Sequence, residues 1–199
     1  MRISALLTVV AVLTACSPEK PVAKAPEPPP EAVGAQKAFF RTLPSARTWS
    51  PDVLPLTIES VPIPEVKWGE GKYGAWRVTY VSPAKQRMKV YTYSVVESPG
   101  NVYKDVFSPL EERWNGPSGQ TAPFRMEAFK IESDKAWARA VEKSAAFLAK
   151  KSTAPVHVLV EWNQRFAQPS YRIYWGNSIG TSEYTVFIDT FSGEFLTKS

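Results

Sequence analysis

The sequence predicts an α+β fold, built as two small helix-on-antiparallel-sheet units in tandem. Three observations predict it. One strong helical pattern lies in residues 133–151, three alternating strand patterns follow it, and the apolar phase of the second half repeats that of the first at a shift of 95 positions. Under that shift Trp76, Val78 and Tyr80 fall on Tyr171, Ile173 and Trp175, and Tyr91 and Tyr93 fall on Val186 and Ile188. Matched alternation across two strands and their connection is the pattern of an internal repeat.

The chain begins "MRISALLTVVAVLTAC": one cation at Arg2, an apolar stretch over residues 3–13, then Cys16. As a helix that stretch covers about 16 Å, against a hydrocarbon core of roughly 30 Å, so it is a signal peptide rather than a span. Its end resembles the lipobox of bacterial lipoproteins, which implies cleavage before Cys16 and lipid attachment to it. Cys16 is the only cysteine among 199 residues, so no disulfide forms within the chain. Two or more acyl chains hold a protein stably at a membrane surface. Ser17 follows the cysteine, and by the lipoprotein sorting rule a residue other than aspartate there implies the periplasmic face of the outer membrane in a cell with two membranes. Residues 16–36 then hold prolines at 18, 21, 26, 28, 29 and 30, interleaved with Ala, Lys and Glu. A polyproline II tether reaching on the order of 60 Å is expected.

The expected division of the chain is a signal peptide over residues 1–15, lipidated cysteine and tether over 16–36, and a first unit over 37–107. A connector over 108–123 and a second unit over 124–199 complete it. In the first unit "AWRVTYVS" and "MKVYTYSVV" read as strands, "VYKDVF" as a third, and any helix as poor, broken by Pro51 and Pro55. "SPLEERWNGPSGQTAP" reads as a turn-rich connector, and "FRMEAFKI" as an added strand. The clear helix takes Ser133 as N-cap with Asp134 in its first turn, and an apolar stripe of Trp137, Val141, Ser144 or Ala145, and Leu148. Lys150 and Lys151 suit its negative end, and Pro155 bars continuation. "VHVLVEW", "SYRIYWG" and "EYTVFID" then place Val156, Val158, Val160 and Trp162, Tyr171, Ile173 and Trp175, and Tyr184, Val186 and Ile188 on core faces.

With 44% hydrophobic and 13% aromatic residues the chain can build a core. Its formal charge of +5 is mild and scattered, which argues against nucleic acid as a partner. No cofactor is implied.

Several stretches together resemble the PepSY and PepSY-like domains of exported bacterial proteins. In the second half these are "KIESDKAWARA", "PSYRIYWG" and "VFIDTFSGEFL", with Ser192 where the family commonly has Thr; in the first half, "ARTWSPDVLPLTIESV" and "AWRVTYVSP". The resemblance implies a helix on an antiparallel sheet in each unit and a non-catalytic binding or regulatory module. Family members have been linked to the restraint of peptidases and to envelope interactions. The expected partner is therefore a protein or peptide in the envelope, a peptidase among the candidates. A structural or assembly scaffold of the envelope is the second reading, and a hydrolase the third.

Other candidate sites weigh less. "GEGKYG" over residues 69–74 fits the letters G-x-G-x-x-G, but a strand follows it where a dinucleotide site needs a helix. His157, the only histidine, lies in a strand without a second metal ligand, and no metal site is expected. Asp189 and Glu194 could form an acid pair, yet the Ser192–Gly193 turn between them makes Asp189 an acceptor of backbone N–H groups. Tyr174, Thr185 and Phe187 lie on the phase opposite the core. They form the expected contact patch if that sheet face is uncovered.

Overall fold

A computed structural model of the chain describes residues 28–118, 121–150 and 154–199. The signal peptide, Cys16 and most of the tether lie outside the described residues, as does Lys151 at the expected helix end. The element order is α1 (Ala35–Trp49), β1 (Leu54–Val61), β2 (Ala75–Ser82), β3 (Arg87–Ser94), β4 (Asp105–Phe107) and β5 (Glu112–Arg113). Then come α2 (Ser133–Leu148), β6 (Val156–Asn163), β7 (Gln168–Trp175), β8 (Tyr184–Asp189) and β9 (Phe195–Lys198). Among the described residues no helix is long and apolar enough to cross a membrane.

The fold is α+β, but its strands form one nine-stranded sheet rather than two. The order is β4-β3-β2-β1-β6-β7-β8-β9, with β5 also on β3, and every pairing is antiparallel. The junction is β1 on β6, where Thr57, Ile58 and Glu59 oppose Glu161, Val160 and Leu159. Within each half the register runs in parallel. Trp76 opposes Tyr93 and Val78 opposes Tyr91, as Tyr171 opposes Ile188 and Ile173 opposes Val186.

The first helix lies before the prolines, not across them. α1 starts at Ala35, inside the stretch expected to be tether, and buries Ala35, Ala38, Phe39, Thr42, Leu43 and Ala46. That spacing of three and four is one helical face, with Pro44 on the exposed side. The stretch with Pro51 and Pro55 supplies a turn and β1 instead. Asp52 closes this turn: its Oδ1 accepts from the Ser50 and Ser82 hydroxyls, 2.7 Å each, and its Oδ2 from Ala84 N–H at 2.8 Å. These donors hold its pKa down at about 2. Upstream, Val33 is buried and exchanges hydrogen bonds of 2.9 Å with Tyr73, so it belongs to the packed body.

The expected strand over residues 124–131 is instead a buried Phe124 and a single turn of 3-10 helix at Met126–Ala128. α2 begins one residue earlier in its capping than expected. Glu132 is the N-cap, its carboxylate accepting from Ser133 N–H at 2.8 Å, while Ser133 is buried. The Ser133 hydroxyl donates to Gly71 O at 2.7 Å and accepts from Ala35 N–H at 2.9 Å, and Glu132 accepts from Gln36 N–H at 3.0 Å. One serine and one glutamate thus tie the starts of both helices to the glycine-rich turn. The buried stripe of α2 is Ser133, Ala136, Ala140 and Ser144, with Trp137, Phe147 and Leu148 at its margins; Ala145 is exposed. Small residues at its centre let the helix lie close on the aromatic sheet.

α1 packs on β1, β2 and β3, and α2 on β7, β8 and β9. Both cover the same face. One core cluster runs through both halves, including Phe39, Ile58, Trp76, Tyr80, Val160, Tyr171, Ile173 and Ile188. Because that core is shared, thermal or denaturant unfolding of the full chain is expected to follow one cooperative transition; two resolved transitions would contradict a shared core. Gly71 has φ +75°, and a Cβ there would meet the Ser133 carbonyl. Gly71→Ala should therefore lower stability by about 3 kcal/mol, measured by denaturant titration.

Candidate functional site

The face of the sheet opposite the helices is the candidate site. One row crosses seven strands on that side: Thr92, Arg77, Glu59, Leu159, Arg172, Phe187 and Thr197. The next row runs Val90, Thr79, Thr57, Glu161, Ser170 and Asp189. Charges of opposite sign alternate across these rows. Arg77 Nη1 lies 3.1 Å from Glu59 Oε2, with both side chains nearly half exposed. Arg172 Nη2 lies 2.9 Å from Glu161 Oε1, and here the side chains keep only 15% and 19% exposure. The Arg172 guanidinium also sits 5.2 Å from the centre of the Phe187 ring, whose edge meets Phe166. Its Nε is buried without a partner among the described residues. Burial outweighs the Arg172 charge at Glu161 and pushes that carboxyl above the ordinary carboxylate range.

Of the expected contact patch, Tyr174 is 5% and Thr185 is 7% exposed, while Phe187 is half-buried. Neither α1 nor α2 covers them. The loop between β7 and β8 folds over this end of the sheet, where the Ser182 and Thr185 hydroxyls lie 3.2 Å apart. The patch therefore narrows to Phe187 and to the mouth of a cleft above Tyr174. That cleft, about 510 Å³, is lined by Glu59, Arg77, Val61, His157, Tyr174 and the loop around Ile179. The His157 ring stacks on Tyr174 with centroids 5.2 Å apart. Burial lowers the His157 pKa, with Glu59 opposing, and burial raises that of Tyr174. Among the described residues neither the His157 ring nitrogens nor the Tyr174 hydroxyl has a hydrogen-bond partner.

Asp189 Oδ1 accepts from Phe191 N–H at 2.6 Å and Ser192 N–H at 3.3 Å, and Oδ2 accepts from the Gln168 amide at 3.0 Å. Asp189 N–H donates to Glu194 O, and Gly193 takes φ +76° to close the turn. The carboxylate of Asp189 is thus occupied by the sheet corner. In "GEGKYG", Gly69 pairs with Lys72 and Gly71 abuts α2, so the turn leads into β2. Among the described residues no group of three or more His, Cys, Asp or Glu could hold a metal ion.

Arg77, Glu59, Glu161 and Arg172 escaped the sequence reading. Alternation marked them as outward-facing, but bringing the two ion pairs onto one face needs the β1–β6 junction, which joins positions about a hundred apart. The signal that was available is the charge pattern itself, since Glu59, Glu161, Arg77 and Arg172 all sit on the polar phase of strands.

Geometry defines the class first: two helices on one face of a single antiparallel sheet, with a charged and partly aromatic opposite face. No family model matches the chain, and no curated protein matches it by sequence. Among solved structures the fold is similar to the crystal structure of a putative lipoprotein (CD1622) from Clostridium difficile 630. The TM-score is 0.52 at 10% identity, over 81% of this chain and 91% of that one. At that identity the likeness is one of fold.

Removing Arg172 should leave Glu161 enclosed without its counter-charge. Arg172→Met is expected to cost about 2 kcal/mol at neutral pH, somewhat less than a fully enclosed pair because both groups keep some exposure. The sign follows from the raised Glu161 pKa. The penalty should vanish as pH falls below the ordinary carboxylate range, where Glu161 is protonated folded or unfolded, and should grow as pH rises through its folded value. Melting curves of wild type and variant at pH 3 and pH 7.5 measure it.

Proposed function

We propose that this chain is a lipid-anchored protein of the cell envelope whose folded body is a non-catalytic module, binding a protein or peptide partner on the outer face of its sheet. The observation that carries this reading is that face. Among the described residues neither α1 nor α2 covers it; it holds the cleft over Tyr174 and offers a row of alternating charge with the half-buried Phe187 beside Arg172. Interfaces favour such mixtures of arginine and aromatic groups.

The anchor is Cys16, by the lipobox-like end of the leader, with Ser17 directing the protein to the periplasmic face of the outer membrane. The name of the structurally similar C. difficile protein supports a lipoprotein. Pro28, Pro29 and Pro30 are exposed just ahead of the pinned Val33, which suits a tether that enters the body at a fixed point. The finer identity is a tandem of PepSY-like units; the parallel registers of β2–β3 and β7–β8 support it. Through that resemblance, a peptidase held in check is the favoured partner.

Two measurements test this. Cys16→Ala should move the full chain from the membrane fraction to the soluble fraction. The full chain in detergent, used as bait on a solubilised envelope extract, should retain one dominant partner, lost on Arg77→Glu or Phe187→Asp at unchanged melting temperature. Retention of a multi-component assembly that ignores both substitutions would favour the scaffold reading.

A further inference from the structure

The cleft on the outer face combines features that a packing role does not need. Tyr174 is 95% buried by exposure, yet its hydroxyl lines the cleft without a partner among the described residues. The hydroxyl reaches the cleft rather than the core, so a ligand there can pair with it in place of water. Beside it lie two opposite charges on directly opposed residues, Glu59 on β1 and Arg77 on β2. They share one contact of 3.1 Å, Nη1 to Oε2. That leaves Glu59 Oε1 and most of the guanidinium donors for another group. An exposed pair of this kind adds little to folding, so a ligand can exchange into it at small cost. The remaining wall is apolar: Val61 is half-buried and Ile179 is 44% exposed at the rim.

A ligand matching this set carries both charges within a few ångströms and an apolar side chain between them. A purely anionic group would face the Glu59 carboxylate, and a purely cationic one would face Arg77. We propose that the cleft binds the zwitterionic unit of a short unblocked peptide or free amino acid, with its carboxylate on Arg77, its ammonium on Glu59 and the Tyr174 hydroxyl, and its side chain against Val61 and Ile179. This rests on the reading of the outer face as the binding face and names the ligand chemistry there. The cleft volume of about 510 Å³ falls within the range of about 300–1,000 Å³ usual for small-molecule sites.

The test is calorimetric titration of the full chain in detergent with leucyl-leucine, its N-acetyl form, its C-terminal amide, and leucine alone. Saturable binding of leucyl-leucine is expected, weakened about tenfold or more by blocking either end, the loss of one charge-assisted contact. Glu59→Gln should weaken the free dipeptide similarly and become indifferent to N-acetylation. Arg77→Gln should weaken it and become indifferent to amidation. Tyr174→Phe should weaken binding while the melting temperature holds. Leucine binding as tightly as the dipeptide would assign the site to free amino acids; weaker binding would assign it to peptides. Equal binding of blocked and unblocked forms, or no binding of any, would overturn the proposal. If no probe binds but envelope capture is still lost on Arg77→Glu, the zwitterion site falls and the binding face stands. If the dipeptide binds as expected while capture ignores the outer face, the reverse holds.

Discussion

The pairing of β1 with β6 is the interaction on which the rest depends. Only three residue pairs make it, Thr57 with Glu161, Ile58 with Val160 and Glu59 with Leu159. Where the ladder stops, the buried Ser60 hydroxyl accepts from Val158 N–H at 2.9 Å and carries the contact further. β1 is the inner edge of one meander and β6 of the other, so their union removes two exposed edges at once. It also converts two small cores into one. A half-chain of this size buries too little apolar surface to be comfortably stable, whereas the joined sheet lets Ile58 and Val160 belong to a single cluster.

Joining the halves edge to edge also fixes where the helices go. Because Ile58 and Val160 oppose one another, the core phases of the two meanders lie on the same side, and both helices must cover that side. Their starts are then drawn together at Ser133 and Glu132, which serve Ala35, Gln36 and Gly71 as well as α2 itself. Buried helix ends need such partners, and here one short stretch supplies them for two helices.

The opposite face is what remains, and side chains rather than helices cover it. Leu159 is only 6% exposed there, set in its row between Glu59 and Arg172 and beside the Arg172–Glu161 ion pair. Keeping a nearly enclosed ion pair on a face that could have been apolar does not favour folding by itself. It gives the face a charge pattern and leaves Arg172 Nε buried without a partner among the described residues. The demands of packing and the chemistry on offer thus separate cleanly onto two sides of one sheet.

Local pattern by itself determined much of this protein. Alternation placed β2, β3, β6, β7 and β8 and told their core residues from the outward ones. Helical spacing with an acidic first turn placed α2, and Asp189 with Ser192 and Gly193 specified a sheet corner. α1 was legible too, since Ala35, Ala38, Phe39, Thr42, Leu43 and Ala46 follow helical spacing. Pro51 and Pro55, which read as breaking a first helix, and the Pro-rich stretch before Ala35 hid that stripe. The tertiary structure decided which edges meet, and with it that one sheet forms rather than two. It also decided that Tyr174 and Thr185 are covered by the β7–β8 loop, and that Glu59 faces Arg77 and Glu161 faces Arg172. The physical reason is that side-chain period is a local property of a strand. Strand order depends on contacts a hundred residues apart, whose net free energy only the assembled core and its desolvated face determine.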